Sequence, residues 1–173
     1  MAELAPRERL QPSLLDRLTD EEPGKEVEPR ERRVLSLRTL REGVLRDLAW
    51  LLNTTNLLSV VDAAGLPGLA AQVASSVLNY GVPAMSGHAV GSLNIAQLER
   101  GIRQAIWDFE PRLIRNSVSV KARMSDSEKN TLTFDIEADL WAQPYPERLY
   151  LKTELDLERG AVLLSEMNGR SAA

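Results

Sequence analysis

Cysteine is absent from this 173-residue chain, and histidine occurs once, as His88. The first absence removes disulfides, thiol nucleophiles and thiolate metal sites together, and it fits a reducing compartment. The second removes multi-histidine zinc sites, and it leaves a histidine-dependent triad only His88 to work with. Charge of one sign is also scarce. With 21 bases against 25 acids the net charge is −4, which argues against electrostatic wrapping of nucleic acid. No apolar run approaches the ~18 residues of a membrane span, and the N-terminal stretch has no apolar segment of signal-peptide type. The chain is therefore expected to stay in the cytoplasm, held elsewhere only through partners. What is present, 43% hydrophobic and 27% charged residues, is the composition of a soluble globular domain. The length suits one domain of about 150 residues with a tail, and such a chain buries roughly 70% of its unfolded surface without staples.

Residues 1–33 carry nine acids, seven bases and four prolines, a density that buries too little apolar surface to offset chain entropy. A flexible arm is expected there. Within it, Pro12-Ser13-Leu14-Leu15-Asp16-Arg17-Leu18 places Leu14, Leu15 and Leu18 on one face of a helical turn, with Ser13 as its N-cap. Such islands either dock on a partner or lie on their own domain. From Ser36 to Asn53, Leu37, Leu40, Val44, Leu48, Leu51 and Leu52 recur at helical spacing, with Leu45 and Trp50 broadening the stripe. Asn53-Thr54-Thr55-Asn56 ends that helix with side chains that bond local backbone. Leu69, Val73 and Val77, with Ala70, Ala74 and Leu78, predict a short helix over about 68–79. Gly81 suits a left-handed helix end and Pro83 a stop. The clearest helix runs from about Asn94 to Glu110, on Ile95, Leu98, Ile102, Ala105, Ile106 and Phe109. Pro111 cannot continue it.

Beyond Pro111 the period changes from 3.6 to 2. Val118, Val120 and Ala122, then Leu132 to Leu140, then Leu149 to Leu157 alternate apolar with polar residues, and Ala161 to Leu164 fits a short last strand. Helices first and strands second predict an α+β fold, with the helices on one face of an antiparallel meander and the other face wet. The domain is placed at 34–165, with a flexible tail at 166–173.

Little in the chain points to chemistry. His88 sits in a Gly/Ser loop with no orienting carboxylate or nucleophile nearby in sequence. Asp135, Glu137 and Asp139 fall on a solvated strand face, where nothing raises a carboxyl pKa. Asp108 and Glu110 are two apart on a helix and diverge. Gly65-Leu66-Pro67-Gly68 lacks the lysine and spacing of a phosphate loop, and no cofactor or metal site is expected. Residues 34–116 hold seven arginines against six acids, too even a balance for a nucleic-acid face. Glu110-Pro111-Arg112 reads either as a helix-end salt bridge, worth at most about 1 kcal/mol if exposed, or as a site of bidentate recognition.

Five blocks in order carry a resemblance: Pro12–Leu18, Leu48–Thr54, Ser76–Gly81, Phe109–Leu113 and Leu151–Leu157. Together they resemble the TssE family of type VI secretion baseplate subunits, which is similar to phage-tail baseplate wedge proteins and often carries a lysozyme-like label. The resemblance covers roughly residues 11–165. It implies a non-enzymatic structural role, cytoplasmic and recruited to an inner-membrane-anchored secretion complex. The family's Glu-Pro-Arg motif falls on Glu110, Pro111 and Arg112, which would hold a wedge core of TssF and TssG, with TssK nearby. Leu14, Leu15 and Leu18 would form a second docking point. The sheet resembles the handshake domain of contractile sheath subunits, TssB and TssC, so one of its edges would template the first sheath ring. A peptidoglycan hydrolase and a small regulatory binding protein on the same fold are the alternatives.

Overall fold

The computed structural model describes residues 13–19, 24, 36–68, 70–84, 94–124, 131–142, 146–156 and 161–167. Most of the arm, His88 with its neighbours, residues 125–130 and the last residues of the chain fall outside that set.

The helices come first. α1 (Leu14–Leu18) is a single turn, capped as expected by Ser13, whose Oγ accepts from Asp16 N at 3.2 Å. α2 (Leu37–Leu52) starts at Ser36, whose Oγ accepts from Thr39 N at 3.1 Å. Its buried stripe is Leu40, Gly43, Val44, Leu48, Leu51 and Leu52, the spacing of three and four read from the sequence. Trp50 departs from that reading. It lies on the outer side of the helix, half-exposed, with the Arg46 guanidinium 5.1 Å from its ring centre, an arrangement that favours a cation over the electron-rich face.

The region between the two long helices differs most from its sequence pattern. α3 (Leu57–Ala63) forms where no helix is expected, started by Asn56, and none of its residues is buried. The helix expected over 68–79 is instead α4 (Ala71–Ala74) and a 3-10 turn at Val77–Asn79, with Val77 and Leu78 exposed. The local geometry is set by asparagines rather than by apolar packing. Asn79 accepts from Leu58 N through Oδ1 and donates to the Ala74 carbonyl, both at 2.8 Å. A parallel bridge then joins Thr55 to Val82, with Val82 N–H on the Thr54 carbonyl at 2.8 Å and Asn56 N–H on the Val82 carbonyl at 2.9 Å. Gly81 passes so close to this bridge, at φ 127°, that a Cβ would stand 2.4 Å from the Thr54 oxygen.

α5 (Ile95–Phe109) follows, capped by Asn94, and buries Leu98, Ile102, Ala105 and Ile106. After a 3-10 turn at Arg115–Ser117 come β1 (Ser119–Met124), β2 (Thr131–Leu140), β3 (Glu147–Asp156) and β4 (Ala161–Glu166). They form one antiparallel sheet in the order β1-β2-β3-β4, as expected for a meander. The register lines up rows such as Val120, Ile136, Leu151 and Ala122, Phe134, Thr153, Leu164 across the strands. These residues face the helices, and the polar member Thr153 satisfies its buried hydroxyl by donating to the Phe134 carbonyl at 3.1 Å. The alternation of buried and part-exposed positions along β2 and β3 is the single wet face anticipated from period 2. The chain has the α+β arrangement.

α5 packs on β1 and α2 on β4. Arg41 of α2 donates to Glu166 on β4 and, at 3.0 Å, to Glu147 on β3. Between α5 and β1, the segment 112–114 runs beside the end of β2. Trp141 N–H donates to the Arg112 carbonyl at 2.8 Å, and Ile114 N–H to that of Asp139 at 2.9 Å.

Candidate functional site

Pro111 ends α5 because it has no N–H to continue the ladder, and Glu110 becomes the helix C-cap, donating its N–H to the Ile106 carbonyl. The turn folds the Arg112 side chain back over Glu110. Arg112 Nε lies 2.6 Å from Glu110 Oε1, and its Nη2 bonds to Oε2, the bidentate fork that suits a guanidinium and a carboxylate. Glu110 is only 3% exposed, so the condition that would make this a weak surface bridge does not hold. The same Nη2 also donates to Asp47 Oδ2 on α2, at 2.6 Å.

From Asp47 the charges continue. Arg46 Nε donates to Asp47 Oδ1 at 2.9 Å, and Arg46 Nη1 to Asp16 Oδ1 at 2.6 Å. Asp16 Oδ2 then accepts from Ser13 Oγ at 2.7 Å. An unbroken line of alternating charge thus joins Glu110, Arg112, Asp47, Arg46 and Asp16. It ties α5, α2 and α1 into one corner. Gly43 is the flat place beneath it: a Cβ there would already lie 3.5 Å from Asp16 Oδ2 and 3.7 Å from Arg112 Nη1, so a longer side chain would displace both.

Tyr80 closes the corner from the side. Its ring meets Phe109 edge-on, with centres 5.2 Å apart. Burial, with the negative charges of Asp47 and Glu110 nearby, pushes the Tyr80 hydroxyl pKa up and keeps it protonated. Arg112 loses solvation by burial, but Glu110 and Asp47 outweigh that and raise its pKa, so its charge is permanent. For Asp16, burial opposes ionisation, while the hydrogen bonds from Ser13 and Arg46 prevail and hold the carboxyl below its ordinary 3.8. The sign of the pH effect follows. A carboxyl whose pKa is depressed on docking contributes attachment that is full above its ordinary value and is lost as pH falls through the depressed one. Amide chemical shifts of Leu14–Leu18 are therefore expected to move toward unstructured values below about pH 4. Asp16→Asn should detach α1 at neutral pH; shifts in that variant identical to wild type across the titration would contradict the ion-pair attachment.

The polar side of α1 faces the domain, and its apolar side does not. Leu14 and Leu18 are 71% and 74% exposed, and Leu15 is 45% exposed. The leucine island is thus held helical by charges and presented outward, next to the corner that contains Glu110, Pro111 and Arg112.

The family model described as baseplate wedge protein gp25 matches residues 38–145. The chain belongs to this family. Baseplate wedge proteins are structural components of a baseplate, and they work among other baseplate subunits. The match takes in Gly43, Asp47, Tyr80 and the Glu110–Arg112 corner, while α1, β3 and β4 lie largely beyond it. No curated protein and no solved structure matches the chain.

For this wedge protein, the structure brings all six sequence-singled residues to one side of the molecule through a bridge the sequence did not announce. Nothing local in the sequence singles out Asp47 or Arg46, and Asp16 stands there only as a member of the leucine island. The available signal was Gly43, a glycine inside a strongly helical stretch, which often marks close approach of another group. Three of the carboxylates weighed for catalysis are engaged in pairs of their own. Asp135 pairs with Arg123, Asp139 with Arg148 at 2.9 Å, and Asp108 accepts from Gln104 at 3.0 Å. No helix among the described residues is long and apolar enough to cross a membrane.

Proposed function

We propose that the chain is a TssE-type subunit of a type VI secretion baseplate, a non-enzymatic part that joins the wedge core to the contractile sheath and nucleates sheath assembly. The observation that carries this reading is the ion-pair line from Glu110 to Asp16, which sets three outward leucines beside the Glu-Pro-Arg corner. A line of this kind does no chemistry; its product is a fixed apolar surface. Exposed leucines on a rigid turn fit an amphipathic helix of a partner, and TssF and TssG, with TssK, are the partners assigned to it. The unit at 34–165 serves as the wedge domain, with α1 of the arm as the docking turn fixed to it. Recruitment to an inner-membrane-anchored complex then comes from those partners.

Co-expression with TssF and TssG tests the assignment. Leu14→Glu/Leu18→Glu changes only exposed side chains and should leave thermal stability within about 0.5 kcal/mol of wild type, yet abolish co-purification of TssF–TssG. Undiminished recovery of TssF–TssG on the doubly substituted chain would refute the docking role of α1. Sheath nucleation makes its own demand: a strain lacking this chain should show diffuse sheath protein, and normal sheaths in that strain would refute it.

A further inference from the structure

The two edges of the sheet are not equivalent. On β1 the solvent face carries Ser119, Lys121 and Arg123, and the outward Ala122 N–H donates to Glu99 Oε1 from α5 at 2.7 Å. Cations on an edge strand, with a carboxylate over its donor, are the usual means of refusing a further strand. On β4 the solvent face carries Ala161, Leu163 and Ser165. It has no charge, and Leu163 is 70% exposed. The outward groups of Val162 are met by a single side chain. Asn53 Oδ1 accepts from Val162 N–H at 2.9 Å, and Asn53 Nδ2 donates to the Val162 carbonyl at 2.9 Å. One amide thus offers the donor and acceptor that a residue of a neighbouring strand would offer. Antiparallel alternation turns the backbone groups of Leu164 and Glu166 to the same side.

We infer that β4 is the edge at which an extended segment of a partner protein joins the sheet, and that Asn53 is a removable plug holding that edge until it arrives. The inference rests on the sheath reading above and names its edge. Displacing Asn53 exchanges two hydrogen bonds for two of the same kind at Val162, with no charge to strip of water. Displacing Glu99 from β1 would abandon a charge-assisted bond. The segment recognised is extended, uncharged where it crosses β4, and apolar on the side that covers Leu163.

Purified full-length chain supplies the test, with a TssB–TssC sheath complex as the probe in biolayer interferometry. Leu163→Lys places on β4 the charge that β1 already carries and should weaken binding by about ten-fold or more. Lys121→Glu on β1 should leave binding within about two-fold of wild type, and Asn53→Ala should tighten it. Wild-type binding by Leu163→Lys, or a loss carried by Lys121→Glu, would overturn the choice of edge. A second measurement needs no sheath protein. Hydrogen exchange of the Val162 amide should rise about ten-fold in Asn53→Ala, and that variant should self-associate in sedimentation velocity, reversed by adding Leu163→Lys. Unchanged exchange and a monomeric variant would overturn the plug. Asn53→Gly, which loses both groups and suits the C-cap position of α2, provides the same readout where the alanine variant does not fold. Faster exchange and self-association without sheath binding by any form would leave the edge standing and refute the sheath as its partner.

Discussion

Replacing Arg112 with alanine is expected to lower the stability of the fold by about 3 kcal/mol, because it strands a buried carboxylate. Glu110 is nearly inaccessible, and apart from the Arg112 backbone N–H at Oε1 its oxygens take their bonds from this guanidinium. Asp47 loses its Arg112 partner at the same time, although Arg46 still holds its other oxygen. In a domain of this size the loss corresponds to a fall in melting temperature of about 6–12 °C. Lysine does not substitute, since a point charge cannot reach both carboxylates in the geometry of a fork. The decisive comparison is the double variant Arg112→Ala/Glu110→Gln. Removing the stranded charge should restore at least about 1 kcal/mol relative to the sum of the two single effects. Strict additivity in urea denaturation would show that the pair is not coupled. Loss of partner binding by Arg112→Ala therefore has to be measured below its melting temperature, where a folded chain that fails to bind is distinguishable from an unfolded one.

Gly81→Ala is expected to be of similar severity, about 3 kcal/mol, for a different reason. The backbone there has φ 127°, and the new methyl would lie 2.4 Å from the Thr54 oxygen and 2.9 Å from the Asn56 nitrogen. Neither atom belongs to a movable side chain. The parallel bridge between Thr55 and Val82 must open or the glycine segment must swing away, and Tyr80 then leaves Phe109 and the charged corner. Circular dichroism melting should register the loss, together with disappearance of the Tyr80–Phe109 contact from aromatic NMR cross-peaks. A melting point within about 2 °C of wild type would contradict the strain argument.

The long helices and the sheet were legible because burial repeats where they are. Leu40, Val44, Leu48 and Leu51 on α2, and Leu98, Ile102 and Ile106 on α5, are buried at the spacing that predicts them. The rows through Ile136 and Leu151 likewise follow period 2. Residues 57–79 were misread because that logic fails there: α3 buries nothing, Val77 and Leu78 face solvent, and Asn56 and Asn79 fix the path through side-chain hydrogen bonds. Periodicity cannot report on a segment held by polar contacts. The candidate site was half legible on the same grounds. Glu110 and Arg112 stand two residues apart, and the proline between them gives away their pairing. Asp47 lies 65 residues from Arg112, and Asp16 lies 30 from Arg46, distances over which no local rule pairs charges. Asn53 was read as a residue that bonds local backbone. It does so at Ala49, but its other bonds reach Val162, 109 residues on.

The pairing of 112–114 with the end of β2 has a mechanical meaning. The main chain that carries the Arg112 guanidinium is the same chain that bonds, through the Arg112 carbonyl, to the residue just past the end of β2. No loop intervenes to absorb a displacement, and Pro111 removes the torsional freedom on the other side. A pull on the corner is delivered directly as shear along β2 and then, through the ladders, to β3 and β4. The chain is built as a strut with no hinge between its helical corner and its sheet, so whatever grips one end sets the orientation of the other.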